Sequence, residues 1–171
     1  MFPYYHEYFW EEEQTQETTS AKTTYQRDYT PKSITALPKG DIFVFGSNLE
    51  GEHCGGAAKT AYEQFGAQWG KGVGHYGNSY AIPTMQDIVG IKHYVDEFIG
   101  YAEAHPKVKF YVTQIGCGVA GHKVSDIAPL FTEAIGVENI LLPKSFVDVI
   151  FKKAIKTTET SPISKTDQVM I

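Results

Sequence analysis

The chain has 171 residues, of which 42% are hydrophobic, and a net charge of −5 at neutral pH. This composition is typical of one globular domain with tails. No apolar stretch approaches the ~18 residues that span a bilayer, and the N-terminus lacks the basic, apolar and small-residue pattern of a signal peptide. We therefore expect no membrane partner and a cytoplasmic protein.

The acidic charge balance also limits the kinds of nucleic-acid partner. A general surface for duplex DNA needs clustered Lys and Arg that displace counterions, and a chain with net charge −5 does not favour one. A small phosphate ligand remains compatible with this charge, because backbone N–H groups bind phosphate without a charged side chain.

The two ends of the sequence differ in composition from its middle. Residues 1–28 include the polar run Glu11–Thr19, and residues 157–171 are similarly polar, so neither segment is expected to bury enough surface to order itself. Residues 29–156 are predicted to form one ligand-binding domain. The aromatic residues within 1–13 indicate either an arm that packs on its own domain or on a second copy of the chain, or a docking segment for a protein partner.

The first half of this domain is predicted to hold two strands and two helices. Short apolar runs beside Gly or Pro indicate the strands, and apolar residues at 3.6-residue spacing indicate the helices. In chain order, we predict a strand at Ile42–Phe45, a helix at Gly56–Phe65, a loop over 66–78, a strand at Tyr80–Ile82 and a long helix ending before Pro106. Thr84 and Asp87 have the spacing of a capping box that opens the long helix.

The second half continues the alternation. We predict a strand at Val108–Ile115, a helix at Ser125–Ile135, a strand at Asn139–Leu142 and a final helix opened by a capping box of Ser145 and Asp148. Strands that alternate with helices predict an α/β fold, here a three-layer α/β/α arrangement with a mostly parallel sheet. Ligands of such sheets bind at the carboxyl ends of the strands.

Two glycine-rich loops follow predicted strands at that edge. The first loop, residues 46–58, contains Gly51, Gly55 and Gly56 and enters a helix, whose free N–H groups and partial positive charge suit phosphate. The second loop, residues 116–121, has three glycines and is suited to form a nest of backbone N–H groups. The first loop has neither the dinucleotide-binding nor the Walker spacing. Residues 66–78 are interpreted as either a third wall or lid of the site, or a surface loop.

Several titratable residues near these loops are candidates for chemistry. Histidine is the side chain best suited to proton transfer near neutral pH, so His53 and His122 are candidate general bases, as are Glu50 and Glu52. Cys117, between two glycines, is a candidate nucleophile if nearby N–H dipoles lower its pKa.

The two cysteines, Cys54 and Cys117, are otherwise expected to be reduced. The sequence has no CxxC pair, so we expect no metal site. We also expect no cofactor.

The two loops together resemble the macro-domain superfamily. The resemblance rests on Phe45–Asn48 and Gly55–Ala58, paired with Ile115–Gly121, and on Tyr80–Thr84, which resembles a strand end in the ADP-ribosyl-deacylating branch of that family. It covers about residues 30–156 and neither tail.

The resemblance implies a cleft that binds ADP-ribose. Asn48 matches an asparagine near the distal ribose, Gly55–Ala57 would line that ribose, and Gly116–Gly121 would enclose the diphosphate. Asp41 is a candidate adenine contact, and Phe146 would flank a ring or pack in the core. The ligand-binding residues implied or predicted are Asp41, Gly46, Ser47, Asn48, Gly55, Gly56, Ala57, Gly116, Cys117, Gly118, Val119, Ala120 and Gly121.

The sequence departs from the deacylating branch at its two catalytic positions. Met85 stands where that branch has a nucleophilic lysine, and Ala120 stands where it has an aspartate. We therefore expect a module that binds ADP-ribose or a related nucleotide, as a reader of ADP-ribosylation. The alternatives are a hydrolase that uses other residues of the same cleft on an ADP-ribosyl bond or a phosphate ester, and an interaction protein that works through its N-terminal arm.

Overall fold

The computed structural model describes residues 24–159. The arm within residues 1–13, with its predicted protein partner or self-association, lies outside this range, as do residues 160–171 of the predicted C-terminal tail. No helix among the described residues is long and apolar enough to cross a membrane.

A five-stranded sheet forms the centre of the domain. Its strands are β1 (Ile42–Ser47), β2 (Gly74–Tyr76), β3 (Ser79–Pro83), β4 (Phe110–Val112) and β5 (Ile140–Leu141). The spatial order is β2-β3-β1-β4-β5, in which only the pair of β2 with β3 is antiparallel. The predicted α/β fold with a mostly parallel sheet is confirmed.

Helices cover both faces of this sheet. They are α1 (Gly56–Gln64), α2 (Ile88–Ala104), the short α3 (Val124–Ile127), a 3-10 helix (Ala128–Gly136) and α4 (Lys144–Glu159). Because side chains alternate along a strand, Phe43 and Phe45 of β1 pack with α1 on one face. Ile42 and Val44 pack on the other face with α2, the 3-10 helix and α4. The carboxyl ends of β1, β3 and β4 therefore emerge at one edge, between the two helical layers.

The starts predicted from the sequence for two helices, α2 and α4, are wrong. Asp87 caps α2 itself, since its side chain accepts a hydrogen bond from the Gly90 amide at 2.8 Å. Thr84 lies outside the helix, where its amide donates to the Ser47 carbonyl at 2.9 Å. Likewise Ser145 lies inside α4, which begins one residue earlier.

Other boundaries differ because tertiary contacts override local pattern. The strand predicted to end at Ile115 ends at Val112, and Thr113 to Ile115 instead lead into the second loop. The predicted helix at Ser125–Ile135 is a short α-helix followed by a 3-10 helix with Pro129 near its start. Residues 74–76, assigned to a loop, form the antiparallel edge strand β2.

The last residues before the predicted domain boundary contact the domain. The guanidinium of Arg27 donates hydrogen bonds to the carbonyls of Ile140 at 2.6 Å, Ile135 at 3.0 Å and Ala134 at 2.8 Å, and it lies 4.1 Å from the ring centre of Tyr25. This one side chain therefore links the end of the 3-10 helix to β5. Residues 24–28 are thus held on the domain that follows them.

The first loop is supported from behind by residues 68–72. Gly70 donates its amide to the Gly51 carbonyl at 2.9 Å, and the hydroxyl of Ser47 donates to the Gly72 carbonyl. A Cβ at Gly72 would overlap the Asn48 carbonyl oxygen, and Gly51 combines a φ of +68° with a backbone too close for a side chain. Glycine at these two positions lets the two segments touch, which fixes the first loop.

We predict that Arg27→Ala lowers the free energy of unfolding by about 2 kcal/mol, because it removes charged hydrogen bonds to three carbonyls. Chemical denaturation measures this change. Arg27→Lys is the matched control: it keeps the charge but cannot reach three acceptors, so it should recover only a minor part of the loss. A stability of Arg27→Ala within ~0.5 kcal/mol of wild type would show that the contact is unimportant.

We also predict that Gly72→Ala lowers the free energy of unfolding by more than about 2 kcal/mol, because backbone atoms must move to make room for the methyl group. Gly100→Ala is the control. A Cβ at Gly100 in α2 meets no atom within 4 Å, and this change should raise stability by about 0.5 kcal/mol through the helix preference of alanine. Thermal and chemical unfolding of both variants test the expected opposite signs.

Candidate functional site

A cleft of about 690 Å³ lies at the carboxyl edge of the sheet. The first loop forms one wall, the second loop forms the opposite wall, and Thr84 and Met85, after β3, contribute to its lining. The cleft arises because β1, β3 and β4 run parallel, so that the segments after them meet at one edge.

Gly46 lets these segments approach each other closely. A Cβ at Gly46 would lie 3.1 Å from Thr84 Oγ1 and 3.3 Å from the Gly116 amide nitrogen. The Thr84 amide donates to the Ser47 carbonyl, and His122 Nε2 donates to the Thr84 carbonyl at 3.1 Å. A continuous set of contacts therefore joins the end of β1, the end of β3 and the second loop.

The first loop has an internal hydrogen-bonded clamp. The side-chain oxygen of Asn48 accepts from the Glu52 amide at 2.9 Å, and its nitrogen donates to the Glu52 carbonyl at 3.2 Å. The nitrogen keeps a second hydrogen, which is available to a ligand. Asn48 therefore shapes the loop and also lines the cleft.

The start of α1 also faces the cleft. Residues 55–58 line it. Gly55 is extended, with φ −159° and ψ 170°, and no side chain caps the helix. Within the described part of the chain, the amides of Gly56, Ala57 and Ala58 have no hydrogen-bond acceptor. This uncapped end presents N–H groups and a partial positive charge to the cleft.

The second loop presents a matching set of amides. Gly116 and Gly121 both have φ +74°, and the loop is closed by hydrogen bonds from the Gly121 amide to the Gly118 carbonyl and from the His122 amide to the Gly116 carbonyl, both at 2.9 Å. No described residue accepts from the amides of Gly118, Val119 or Ala120. These amides lie on the wall opposite α1.

The electrostatic character of the cleft comes from backbone groups. Among the described residues that line it, Glu52 is the only acidic side chain, and no Lys or Arg is present. The residues that carry the two sets of unpaired N–H groups line a space without a cationic side chain, an arrangement that suits phosphate oxygens.

A second chamber of about 610 Å³ adjoins the cleft. The two share Ala57, Thr113 and Gln114 in their linings. Residues 30–34, before β1, and the start of α4 form its other walls, with Phe43 of β1 also in its lining. The candidate site therefore extends from the cleft into the second chamber.

Most of the residues predicted to bind ligand line the cleft together. These are Gly46, Ser47, Asn48, Gly55, Gly56, Ala57, Gly116, Cys117, Gly118, Val119 and Ala120. Gly121 does not line it and instead closes the second loop through its amide. Asp41 lies at the opposite end of β1, where Tyr111 donates a hydrogen bond to it at 3.2 Å, so the structure gives no support to an adenine contact there. Phe146 is fully buried against Phe131.

His53 does not line the cleft. It is 2% exposed and packs edge-on against Phe45 at a ring distance of 5.3 Å. Its Nε2 lies 2.9 Å from the Gln68 carbonyl, and because a carbonyl can only accept, Nε2 carries the hydrogen. The structure corrects its predicted role: His53 joins the first loop to the segment behind it and is not placed as a general base.

His122 is also absent from the cleft lining. Its Nε2 is occupied by the Thr84 carbonyl, and its ring is half-buried behind the second loop. The structure therefore gives it a positioning role, in place of the predicted general base.

The two cysteines are free thiols, and both line the cleft. Burial raises the pKa of the Cys117 thiol, so the thiol is protonated at neutral pH and the N–H dipoles do not produce a thiolate. This opposes the predicted use of Cys117 as a nucleophile. The described residues contain no group of three or more metal-ligating side chains arranged to hold a metal ion.

Some features of the site were not found from the sequence. Residues 66–78 do not form a third wall, since none of them lines the cleft; they support the first loop and form β2. Thr113 and Gln114 line both chambers but were assigned to the interior of a strand. Their position where β4 ends is the only signal that could have identified them.

Comparison of the chain with protein-family models, curated proteins and solved structures finds no match. The likeness to macro domains therefore rests on the sequence and spacing of the two loops. The described geometry adds a cleft between these loops, and any activity assigned to it is a proposal.

Proposed function

We propose that this protein binds ADP-ribose, or a related nucleotide with a diphosphate, in the cleft between the first and second loops. The observation that carries the proposal is the pair of facing amide sets, Gly56–Ala58 and Gly118–Ala120, that line one cleft and have no acceptor within the described chain. Unpaired backbone N–H groups favour a ligand that brings several acceptor oxygens.

A diphosphate fits this chemistry better than a single carboxylate. The two amide sets belong to two different loops that line the same cleft, and we expect one ligand group with several oxygens to accept from both. Binding by backbone amides also explains how a chain of net charge −5 can take an anion without a cationic side chain in this part of the cleft.

The second chamber supports a ligand with a nucleoside attached to the diphosphate. Both cavities fall within the ≈ 300–1,000 Å³ range of small-molecule sites. Ile34 and Phe43 give the second chamber apolar surface, and Thr60 and Gln114 give it polar groups. We place the adenosine half of the ligand there and the distal ribose at the other end, near Asn48.

The residues that line the cleft favour binding over hydrolysis. Met85 and Ala120, at the two positions where the deacylating macro domains have catalytic groups, both line it and supply no acid or base. Neither histidine lines it, and the Cys117 thiol is protonated at neutral pH. A reader of ADP-ribosylation, which holds the ligand and leaves it intact, is the function that these observations support best.

We predict that Gly118→Glu weakens the binding of ADP-ribose by at least about tenfold, because it places a carboxylate beside the amides that hold phosphate. Isothermal titration calorimetry measures the affinity. A Cβ at Gly118 meets no atom within 4 Å, so the fold should tolerate the change. Gly100→Glu, on the exposed surface of α2, is the matched control with the same charge and should bind as wild type does. Equal affinities of the two variants would exclude this wall as the phosphate site.

We further predict that ADP-ribosylated peptide, or ADP-ribose itself, remains chemically intact after prolonged incubation with the protein, because Met85 and Ala120 supply no acid or base at the two positions where the deacylating branch has its catalytic groups. Mass spectrometry of the recovered ligand measures this. Release of product above a buffer control would contradict the reader proposal. If product were released by the wild-type protein and not by His122→Ala or Cys117→Ala, the protein would be a hydrolase.

A further inference from the structure

The second chamber differs in charge from the cleft between the two loops. Two lysines line it, Lys32 from the segment before β1 and Lys144 from the start of α4, and no carboxylate is among its lining residues. The cleft between the two loops has the opposite charge in its lining, with Glu52 and no lysine. Among the residues that line the cleft and the second chamber, cationic side chains are therefore confined to the second chamber.

The two lysines differ in how they are held. Lys32 is exposed and has no hydrogen bond or ion pair with any described residue. Lys144 lies 2.8 Å from Asp148, one turn along α4, and this carboxylate raises the pKa of Lys144, so its ammonium stays charged at neutral pH. An exposed pair of this kind is weak, so the ammonium can also bind a second anion.

Uncharged donors accompany the lysines. Ser145 Oγ accepts a hydrogen bond from Gln114 Nε2 at 2.6 Å, which leaves the hydroxyl hydrogen of Ser145 free to donate. Ser33 and Thr60 add hydroxyl groups to the same lining. Ammonium and hydroxyl groups around one space, with no carboxylate in its wall, form a set of donors that suits a phosphate monoester.

We infer that the preferred ligand carries a further phosphate on its adenosine half, held in the second chamber by Lys32 and Lys144. The inference rests on the proposed function, which places the diphosphate between the loops and the adenosine half in the second chamber. A phosphate on the 2′-oxygen of the adenosine ribose is then separated from the diphosphate by that ribose, on the side of the ligand that enters the chamber lined by the lysines. Nucleotides of the class of ADP-ribose 2′-phosphate meet this requirement.

Calorimetry with three ligands tests the inference: ADP-ribose, ADP-ribose 2′-phosphate, and ADP-ribose 1″-phosphate, whose extra phosphate is on the distal ribose. We expect the wild-type protein to bind the 2′-phosphate about tenfold more tightly than ADP-ribose, with a smaller difference at high salt. Lys32→Gln with Lys144→Gln should remove this preference, because it should lower the affinity for the 2′-phosphate about tenfold more than the affinity for ADP-ribose. The ratio of the affinities for the 1″-phosphate and ADP-ribose should stay as it is in the wild-type protein.

Three further variants test whether the effect of the lysines is local to the second chamber. Asp148→Asn releases Lys144 from its carboxylate, so it should increase the preference for the 2′-phosphate. Lys39→Gln changes the same charge at an exposed position that lines neither chamber, and it should leave the preference intact. The melting temperature of each variant checks that it is folded. Lys32→Gln by itself should lower the preference about threefold without affecting the Lys144–Asp148 pair.

The results distinguish the inference from the function on which it rests. Equal affinity of the wild-type protein for ADP-ribose and its 2′-phosphate would overturn the inference and leave the proposed function in place. A preference that persists in the double lysine variant would also overturn it. Absence of binding by all three ligands would overturn both.

Discussion

The close approach of three chain segments at Gly46 is the constraint on which the site depends. With no side chain at this position, the end of β1 lies against Thr84, after β3, and against Gly116 of the second loop. Hydrogen bonds from the Thr84 amide to Ser47 and from His122 to the Thr84 carbonyl then hold the three together. A larger residue at 46 would need to displace Thr84 or the second loop, which would change the spacing of the two cleft walls.

The partial positive charge in the cleft comes from backbone N–H groups, since no Lys or Arg lines it. The uncapped start of α1 and the amides of Gly118–Ala120 provide partial positive charge at fixed positions, because the helix and the tightly closed second loop hold these N–H groups in place. This explains how an acidic protein can offer an anion site. The lysines of the second chamber lie on different elements, the segment before β1 and α4, and therefore add charge at a distance from the amides.

The histidines illustrate how a plausible catalytic residue acquires a structural role. Both His53 and His122 use Nε2 to donate to a backbone carbonyl, and each carbonyl belongs to a different segment from the histidine. These bonds hold the first loop to the segment behind it and the second loop to the end of β3. The side chains that sequence pattern favoured for proton transfer thus keep the walls of the cleft in position.

The sequence by itself determined the alternation of strands and helices, the mostly parallel sheet and the location of both loops at its carboxyl edge, because hydrophobic periodicity and glycine placement are local signals. It also identified most of the cleft lining, which comprises Gly46–Asn48 and Gly55–Ala57 of the first loop and Gly116–Ala120 of the second. Only the tertiary structure decided that His53 is buried and that residues 74–76 form an edge strand. It also decided that Lys32 and Lys144 share a chamber, since convergence of residues so far apart in sequence depends on how the layers pack.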